Sequence, residues 1–356
     1  MEREKLRVLF ISPKTSIKEA MHKLNVTAKK ILFVTDREER LLGTITDGDI
    51  RRALVQGIRF TDEVEKIMQQ QFIKIDESRS DKKEYAKALI LKKGIEQIPI
   101  LDQNGIIKDA IFWTEILEKE PSRITERFSN FVVIMAGGEG KRLDPFTKIL
   151  PKPLIPVGEK TIIGLIMEKF SKYGFYRFLY TLNYKKEYLK AFFQENNFPY
   201  EIDWVEENDF LGTAGSLSLL KDRLNEPFFV TNCDSLLDID YRVVLKWHKE
   251  YGAAVTIIGC YNEFKIPFGV LEISEGRLQR IMEKPTHDLL INTGIYMMEP
   301  GVLSYLSVDR KTDMDELLNL VSQREKVAVF PVFGGWFDIG QWEEYRKTLR
   351  YLHLDV

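Results

Sequence analysis

The stretch FVVIMAGGEGKRLDPFTKILPKPLIPV, Phe131 to Val157, decides how the chain folds. It opens with an apolar, β-branched run, Phe131 to Ala136, of the length of a buried strand. Gly137, Gly138 and Gly140 follow at once, then Lys141 and Arg142. Glycines at a strand's end free the backbone for positive φ and for close approach to a ligand, because no Cβ intervenes. The N–H groups of such a turn point into one concavity, which suits phosphate oxygens. Arg142 adds a forked cationic donor, and Lys152 a point charge, near the same place. A glycine-rich turn by itself is also what any tight strand-to-loop connection uses.

The whole string is more specific than its glycines. Read as G-G-x-G-x-R-L-x-P-x-T-x-x-x-P-K-P, Gly137 to Pro153 resembles the signature of the sugar-1-phosphate nucleotidyltransferases. That family joins an NTP to a sugar phosphate and releases pyrophosphate. The resemblance implies a nucleotide site on Ala136, Gly137, Gly138, Gly140 and Lys141, with Arg142 and Lys152 as catalytic cations.

Composition sets the frame. At 356 residues the chain is long for one core and suggests two domains. Lys+Arg 52 against Asp+Glu 54 gives a net charge of −2, so no excess of positive charge argues for nucleic acid or an anionic membrane. The two cysteines, Cys233 and Cys260, sit in apolar strand-like contexts, which speaks against a disulfide framework. No apolar stretch approaches a membrane span, and the start MEREKLRVLF lacks the apolar core of a signal peptide. A cytoplasmic protein is expected.

Residues 1–120 read as two copies of one unit. Ile17, Ala20, Met21 and Leu24 have helical spacing, with Ser16 and Glu19 forming a capping box. Ile31 to Asp36, Leu41 to Ile50 and a helix through Arg51 to Val55 follow. The second copy repeats the order: a helix over 81–93, then Ile98 to Gly105, Ile106 to Trp113, and a helix from Thr114. Units this small pack together. The order resembles a tandem cystathionine-β-synthase (CBS) pair, which implies a regulatory module for an adenine or guanine nucleotide and a homodimer. The pattern G-x-x-T-x-x-D of that family falls on Gly43, Thr46 and Asp49, making Thr46 and Asp49 the implied ligand residues. In the second copy Asp109, Phe112 and Glu115 stand at those places, and only Glu115 offers similar chemistry. The plainer reading is that Thr46 and Asp49 cap the next helix. Residues 121–130, charged and punctuated by Pro121, read as a linker to a catalytic domain over 131–356.

In that domain Thr161 to Tyr173 is an amphipathic helix, Phe178 to Leu182 a strand and Glu187 to Phe193 a helix. Such alternation predicts an α/β fold, a Rossmann-like, doubly wound mixed sheet that binds ligands at the carboxyl ends of its strands.

A second motif is EIDWVEENDFLGTAGSL, Glu201 to Leu217. The resemblance places Gly212 against the base, Thr213 beside it, and the base-reading side chain at Glu207. A carboxylate accepts from N1–H and N2–H₂ of guanine but donates nothing to the carbonyls of uracil, which points to GTP. The alternative is a solvated glutamate in an acidic run with Glu206 and Asp209. FFVTNCD, Phe228 to Asp234, is a buried strand ending in Asn232 and Asp234. By the resemblance, Asp234 and Asp338 of GGWFDIGQWEEY are ligands of Mg²⁺, an ion that needs only one or two carboxylates beside phosphate oxygens and water. Gly269, Glu283, Lys284, Asn292 and Gly294 are the implied sugar-phosphate pocket; Glu283 and Lys284 could equally be a surface pair before Pro285. His22, His248, His287 and His353 form no cluster, which leaves a zinc site or histidine base unsupported.

These parts predict in-line attack of a sugar-1-phosphate oxygen on the α-phosphorus of the NTP. The nucleophile is already ionised, and converging positive charge supplies the rate. A CBS pair ahead of a short nucleotidyltransferase resembles the glucosamine-1-phosphate guanylyltransferases of bacterial legionaminic acid pathways. Mannose-1-phosphate guanylyl transfer, or uridylyl or thymidylyl transfer, is the alternative. A nucleotide-sensing protein without catalysis is the reading from another class.

Overall fold

Successive side chains of the strand Phe128–Ala136 leave on opposite faces of a sheet, and both faces are buried. Val132, Ile134 and Ala136 join one core with residues of the helices Ile162–Ser171 and Tyr241–Tyr251. Val133 joins the other, beneath the helix Met314–Ser322. The computed structural model describes residues 3–27, 29–93, 95–112, 127–308 and 310–351. They fall into two units, Met1–Arg123 and Ile124–Val356.

In the second unit the sheet has seven strands, in the order Glu201–Glu206, Phe175–Leu182, Phe128–Ala136, Phe228–Asn232, Thr286–Met298, Val255–Lys265 and Val327–Phe333. The first four run parallel, and Thr286–Met298 is antiparallel to both its neighbours. This is the mixed, doubly wound α/β sheet that the strand–helix alternation predicts. The strand before the glycine loop begins at Phe128, so residues 128–130 are sheet and not linker. Thr161 caps the helix Ile162–Ser171, its hydroxyl accepting from the Gly164 N–H at 3.1 Å. Three two-stranded pieces lie outside the main sheet, the first of them Pro156–Val157 with Lys160–Thr161. Another is the hairpin Val270–Ser274 with Arg277–Met282. The third pairs Ser235–Leu237 with Trp336–Asp338, antiparallel, setting Ser235 opposite Asp338. Cys233 and Cys260 are free, buried thiols.

The first unit repeats one pattern. Phe10–Ile11 pairs parallel with Ile31–Thr35, which pairs antiparallel with Leu41–Thr46. Ile75–Asp76, Gln97–Leu101 and Ile107–Phe112 do the same. The two hairpins bond to each other, Leu41 N–H to Gly105 O at 3.0 Å and Ile107 N–H to Glu39 O at 3.2 Å. Ser16 and Glu19 make the reciprocal bonds that their spacing predicts. Trp113, Glu115 and the helix expected from Thr114 lie outside the described residues. Among the described residues no helix is long and apolar enough to cross a membrane.

One buried group makes the second unit sensitive to acid. His248, on Tyr241–Tyr251, is 1% exposed and sits between Thr256 Oγ1 at 2.8 Å and Glu299 Oε1 at 3.3 Å. Burial holds its imidazole below the usual histidine range, against the pull of Glu299. The unfolded chain therefore binds the proton more readily. Stability is full above the ordinary histidine value of about 6.5 and is lost as pH falls through the lowered folded value. Thermal melts against pH should show the transition of this unit falling more steeply below neutrality in the wild type than in His248→Gln.

Candidate active site

The carboxyl ends of Phe128–Ala136, Phe175–Leu182 and Phe228–Asn232 open onto a cavity of about 560 Å³. Gly137, Gly138, Gly140, Lys141, Arg142, Lys152, Glu207, Gly212, Thr213 and Asp234 line it, and Ala136 is buried at its floor strand. The glycines differ in what they permit. A Cβ on Gly137 would stand 2.6 Å from Glu207 Oε1, and one on Gly140, at φ +70°, 2.9 Å from Lys152 Cβ. Gly138 faces open space. Lys141 is exposed and pairs with Glu139 at 2.6 Å.

Behind the loop, three charges meet. Lys152, 7% exposed, opens a 3₁₀ turn and bonds to the carboxylate of Asp234, itself 7% exposed. The Ile339 N–H donates to Asp234 O at 2.9 Å, and the Gly340 N–H to Asp338 Oδ1 at 2.9 Å. A Cβ on Gly340 would lie 2.6 Å from Asp338 Oδ1, 2.7 Å from Asp234 Oδ2 and 2.9 Å from Lys152 Nζ. Burial, then the charge of Asp234, pushes the Asp338 carboxyl above its ordinary range; the Gly340 N–H, then Lys152 and Arg142, pull it back. Two carboxylates crowded like this suit a hard divalent cation that also takes phosphate oxygens and water. Among the described residues no group of three or more potential ligands forms.

Glu207 is 3% exposed, not solvated. Its neighbour Glu206 takes the surface role, bonding to Lys186 at 2.8 Å and Lys190 at 2.5 Å. Leu211 N–H donates to Glu207 Oε2 at 3.1 Å, while Oε1 lies against the glycine loop. Burial raises the carboxyl's pKa, and the Leu211 N–H opposes that rise.

Other expected residues are placed differently. Gly212, at φ +84°, is required by its own chain, since a Cβ there would meet Thr312 O at 2.6 Å. Thr213 lines the cavity, but its N–H donates to Asp313 Oδ1 at 3.0 Å and its hydroxyl accepts from the Met314 N–H at 2.8 Å. The residues expected at the sugar phosphate do not line the cavity. Glu283 and Lys284 are exposed just past the hairpin, Lys284 at φ +46°. Glu283 Oε2 is 3.1 Å from where a Cβ of Gly269 would be. Asn292 donates to Tyr296 Oη at 2.9 Å and accepts from the Gly294 N–H at 3.0 Å.

In the first unit Thr46 and Asp49 close on each other. Asp49 Oδ2 accepts from the Thr46 N–H at 2.9 Å and from its hydroxyl at 2.6 Å. Oδ1 accepts from Arg52 at 2.5 Å and Gln69 at 3.3 Å. The pair is a capping box for the helix Asp47–Val55, and both carboxylate oxygens are engaged within the unit.

Asn183, Tyr184, Phe210 and Asn232 also line the cavity, and none was singled out as a site residue from sequence. Their one common signal is position, at or just beyond a strand's carboxyl end or just before the Leu211-Gly212 turn. The phosphate loop is braced from outside it. Lys185 Nζ donates to Thr147 O and Lys148 O at 3.0 and 2.7 Å, and Trp342 Nε1 to Asp144 O at 3.1 Å.

Residues 131–353 match the nucleotidyl transferase family, and residues 4–56 match the CBS domain. The chain belongs to the nucleotidyl transferase family and carries a CBS domain. It is 32% identical over 233 residues to mannose-1-phosphate guanylyltransferase 1 of Arabidopsis thaliana, covering 63% of this chain and 64% of that one. Mannose-1-phosphate guanyltransferase beta-B of Xenopus laevis is 32% identical over 237 residues, 62% of this chain and 66% of that protein. The chain thus spans just under two thirds of the length of these relatives. The crystal structure of HddC from Yersinia pseudotuberculosis complexed with GMP-PN superposes with a TM-score of 0.51 at 25% identity, covering 63% of this chain and 99% of that one.

Gly340→Ala adds one methyl among Asp338, Asp234 and Lys152. Turnover should fall about a hundredfold, the cost of displacing reacting groups by roughly an ångström. Far-UV circular dichroism should be unchanged. Wild-type turnover would show that the three charges need no such spacing.

Proposed function

We propose that the chain transfers a nucleotidyl group, guanylyl in preference, from an NTP to a sugar-1-phosphate and releases pyrophosphate. The observation that carries this reading is the buried Glu207 carboxylate, with one oxygen held by Leu211 and the other turned to the glycine loop. Guanine presents two adjacent donors to such a group; uracil and thymine present carbonyls to it. The relatives named mannose-1-phosphate guanylyltransferases, and the GMP-PN complex of HddC, support the base reading.

The transfer follows from the charges. A sugar-phosphate oxygen attacks the α-phosphorus in line; the new P–O bond forms as the bond to the β-phosphate breaks, and pyrophosphate leaves. Two like-charged phosphates must approach, so the work of the site is positioning and neutralisation. Arg142 and the loop N–H groups hold the β- and γ-phosphates, and Lys152 reaches the α-phosphate once it exchanges Asp234 for it. Asp234 and Asp338 would hold Mg²⁺, which when bound supplies positive charge at the phosphate oxygens. Lys284 would reach the sugar phosphate, and Glu283 sugar hydroxyls, from the exposed segment just past the hairpin.

Glucosamine-1-phosphate is the first sugar to test, on the domain order of a CBS unit before a short nucleotidyltransferase. Mannose-1-phosphate is the second, favoured by the names of the relatives. The decisive measurement is pyrophosphate release with Mg²⁺, crossing GTP, UTP, dTTP, CTP and ATP with glucosamine-, N-acetylglucosamine-, glucose- and mannose-1-phosphate. GTP should be the nucleotide used. Glu207→Gln loses the charge and one acceptor, so KM for GTP should rise about ten- to a hundredfold, as for a charge-assisted hydrogen bond. Preference for UTP in the wild type would sink the guanine reading.

A further inference from the structure

We infer that Asp313 is a positioning residue for base selection, fixing the turn whose backbone holds the Glu207 carboxylate in place. The inference rests on the guanylyl reading above. Asp313 stands directly before the helix Met314–Ser322, in the place of an N-cap and with extended backbone. An aspartate there ordinarily turns its carboxylate back to the first N–H groups of its own helix. Among the described residues Asp313 makes no such bond. Its Oδ1 accepts instead from the Thr213 N–H at 3.0 Å and the Thr213 hydroxyl at 3.3 Å, a hundred residues away in sequence. The helix is capped from outside, by Thr213 Oγ1, which accepts from the Met314 N–H at 2.8 Å. One hydroxyl both donates and accepts here, as its single proton and two lone pairs allow.

This exchange belongs to a wider clasp. The Thr312 N–H donates to Leu211 O at 2.9 Å, and Thr312 O accepts from the Ala214 and Gly215 N–H groups, each at 3.0 Å. Gly212 lies so close that a Cβ on it would stand 2.8 Å from Asp313 Oδ1. The helical turn Gly212–Gly215 has four residues, and a single turn does not stand by itself. Thr312 and Asp313 hold it from outside.

Leu211 carries the clasp to the cavity. Its carbonyl is held by Thr312, and its N–H holds Glu207 Oε2 at 3.1 Å, which leaves Oε1 against the glycine loop. That N–H also opposes the rise that burial imposes on the Glu207 pKa. An ionised carboxylate accepts from both guanine donors, whereas a protonated one offers a donor where guanine needs an acceptor. The turn therefore governs both the aim of Glu207 and its charge, and Asp313 governs the turn.

The test is kcat and KM for GTP and inosine triphosphate (ITP), with glucosamine- or mannose-1-phosphate as acceptor, in the wild type, Asp313→Ala, Asp313→Asn and Leu317→Ala. ITP lacks only the N2 amine of GTP, so the wild type should favour GTP by about tenfold in kcat/KM, the value of one hydrogen bond. Asp313→Ala should raise the KM for GTP about tenfold and bring the GTP-to-ITP ratio close to one, leaving the sugar-phosphate KM within about twofold. Asp313→Asn keeps an acceptor oxygen and should restore the ratio. Leu317, 1% exposed on the same helix, separates positioning from mere support. Leu317→Ala opens a cavity and should lower the melting temperature at least as far as Asp313→Ala does, yet keep the ratio. An unchanged ratio in Asp313→Ala, no recovery in Asp313→Asn, or an equal loss of the ratio in Leu317→Ala would overturn the inference alone. A wild type without preference for GTP over ITP would fell the guanine reading and this inference together, and no turnover with any pair would fell the transfer reading as well.

Discussion

Everything in the second unit defers to one electrostatic constraint: two carboxylates and one ammonium share the space around Gly340. Like charges this close repel, and a cation between or beside them relieves the repulsion. Lys152 meets part of that demand through its bond to Asp234, while burial, then the charge of Asp234, holds the Asp338 carboxyl above its ordinary range. The arrangement is held by backbone. Ser235–Leu237 and Trp336–Asp338 form a two-stranded ladder that joins segments a hundred residues apart, and the Ile339 N–H ties back to Asp234 O. Trp336 Nε1 donates to Ser235 Oγ, which donates to Thr293 O, so the ladder is also fixed to the long antiparallel strand. Losing one member of a buried ion pair costs about 3–5 kcal/mol, so holding Asp234 beside Lys152 bears on the stability of this unit.

The sheet explains why the cavity has two characters. Three parallel strands end at the same edge and deliver Gly137, Asn183 and Asn232 there. The glycine loop at that edge lets backbone stand close to the cavity, which suits phosphates. Thr286–Met298 runs the other way, so it brings a mid-strand residue, Gly294, to the edge where the others bring their ends. A strand can offer closeness there only by lacking a Cβ, and Gly294 lacks one.

Much of this was legible in the sequence, for a local reason. An apolar run followed by glycines needs no distant partner to be recognised, and the parallel part of the sheet follows from the alternation of strands and helices. The domain boundary was less so: Phe128 to Asn130 looks polar and charged in context, yet sheet pairing with Phe175 and its neighbours claims it. The meeting of Asp234 and Asp338 is not written in any spacing. Resemblance proposed it, and only the ladder shows how two distant turns come to face each other.

The acidic residues show what sequence cannot decide. Asp49, Glu206 and Glu207 are alike as letters. Asp49 has both oxygens engaged by its own unit, Glu206 has two lysines at the surface, and Glu207 has one oxygen held and one left over inside a cavity. Burial alone would not separate them, since Asp49 is 7% exposed and Glu207 3%. What separates them is hydrogen-bonding capacity left unused after folding. A buried polar atom without a partner costs free energy unless something else supplies the bond, so its persistence at a cavity wall is an argument for a ligand. By that criterion Asp49 belongs to the scaffold, while Glu207 keeps one oxygen turned to the glycine loop of the cavity.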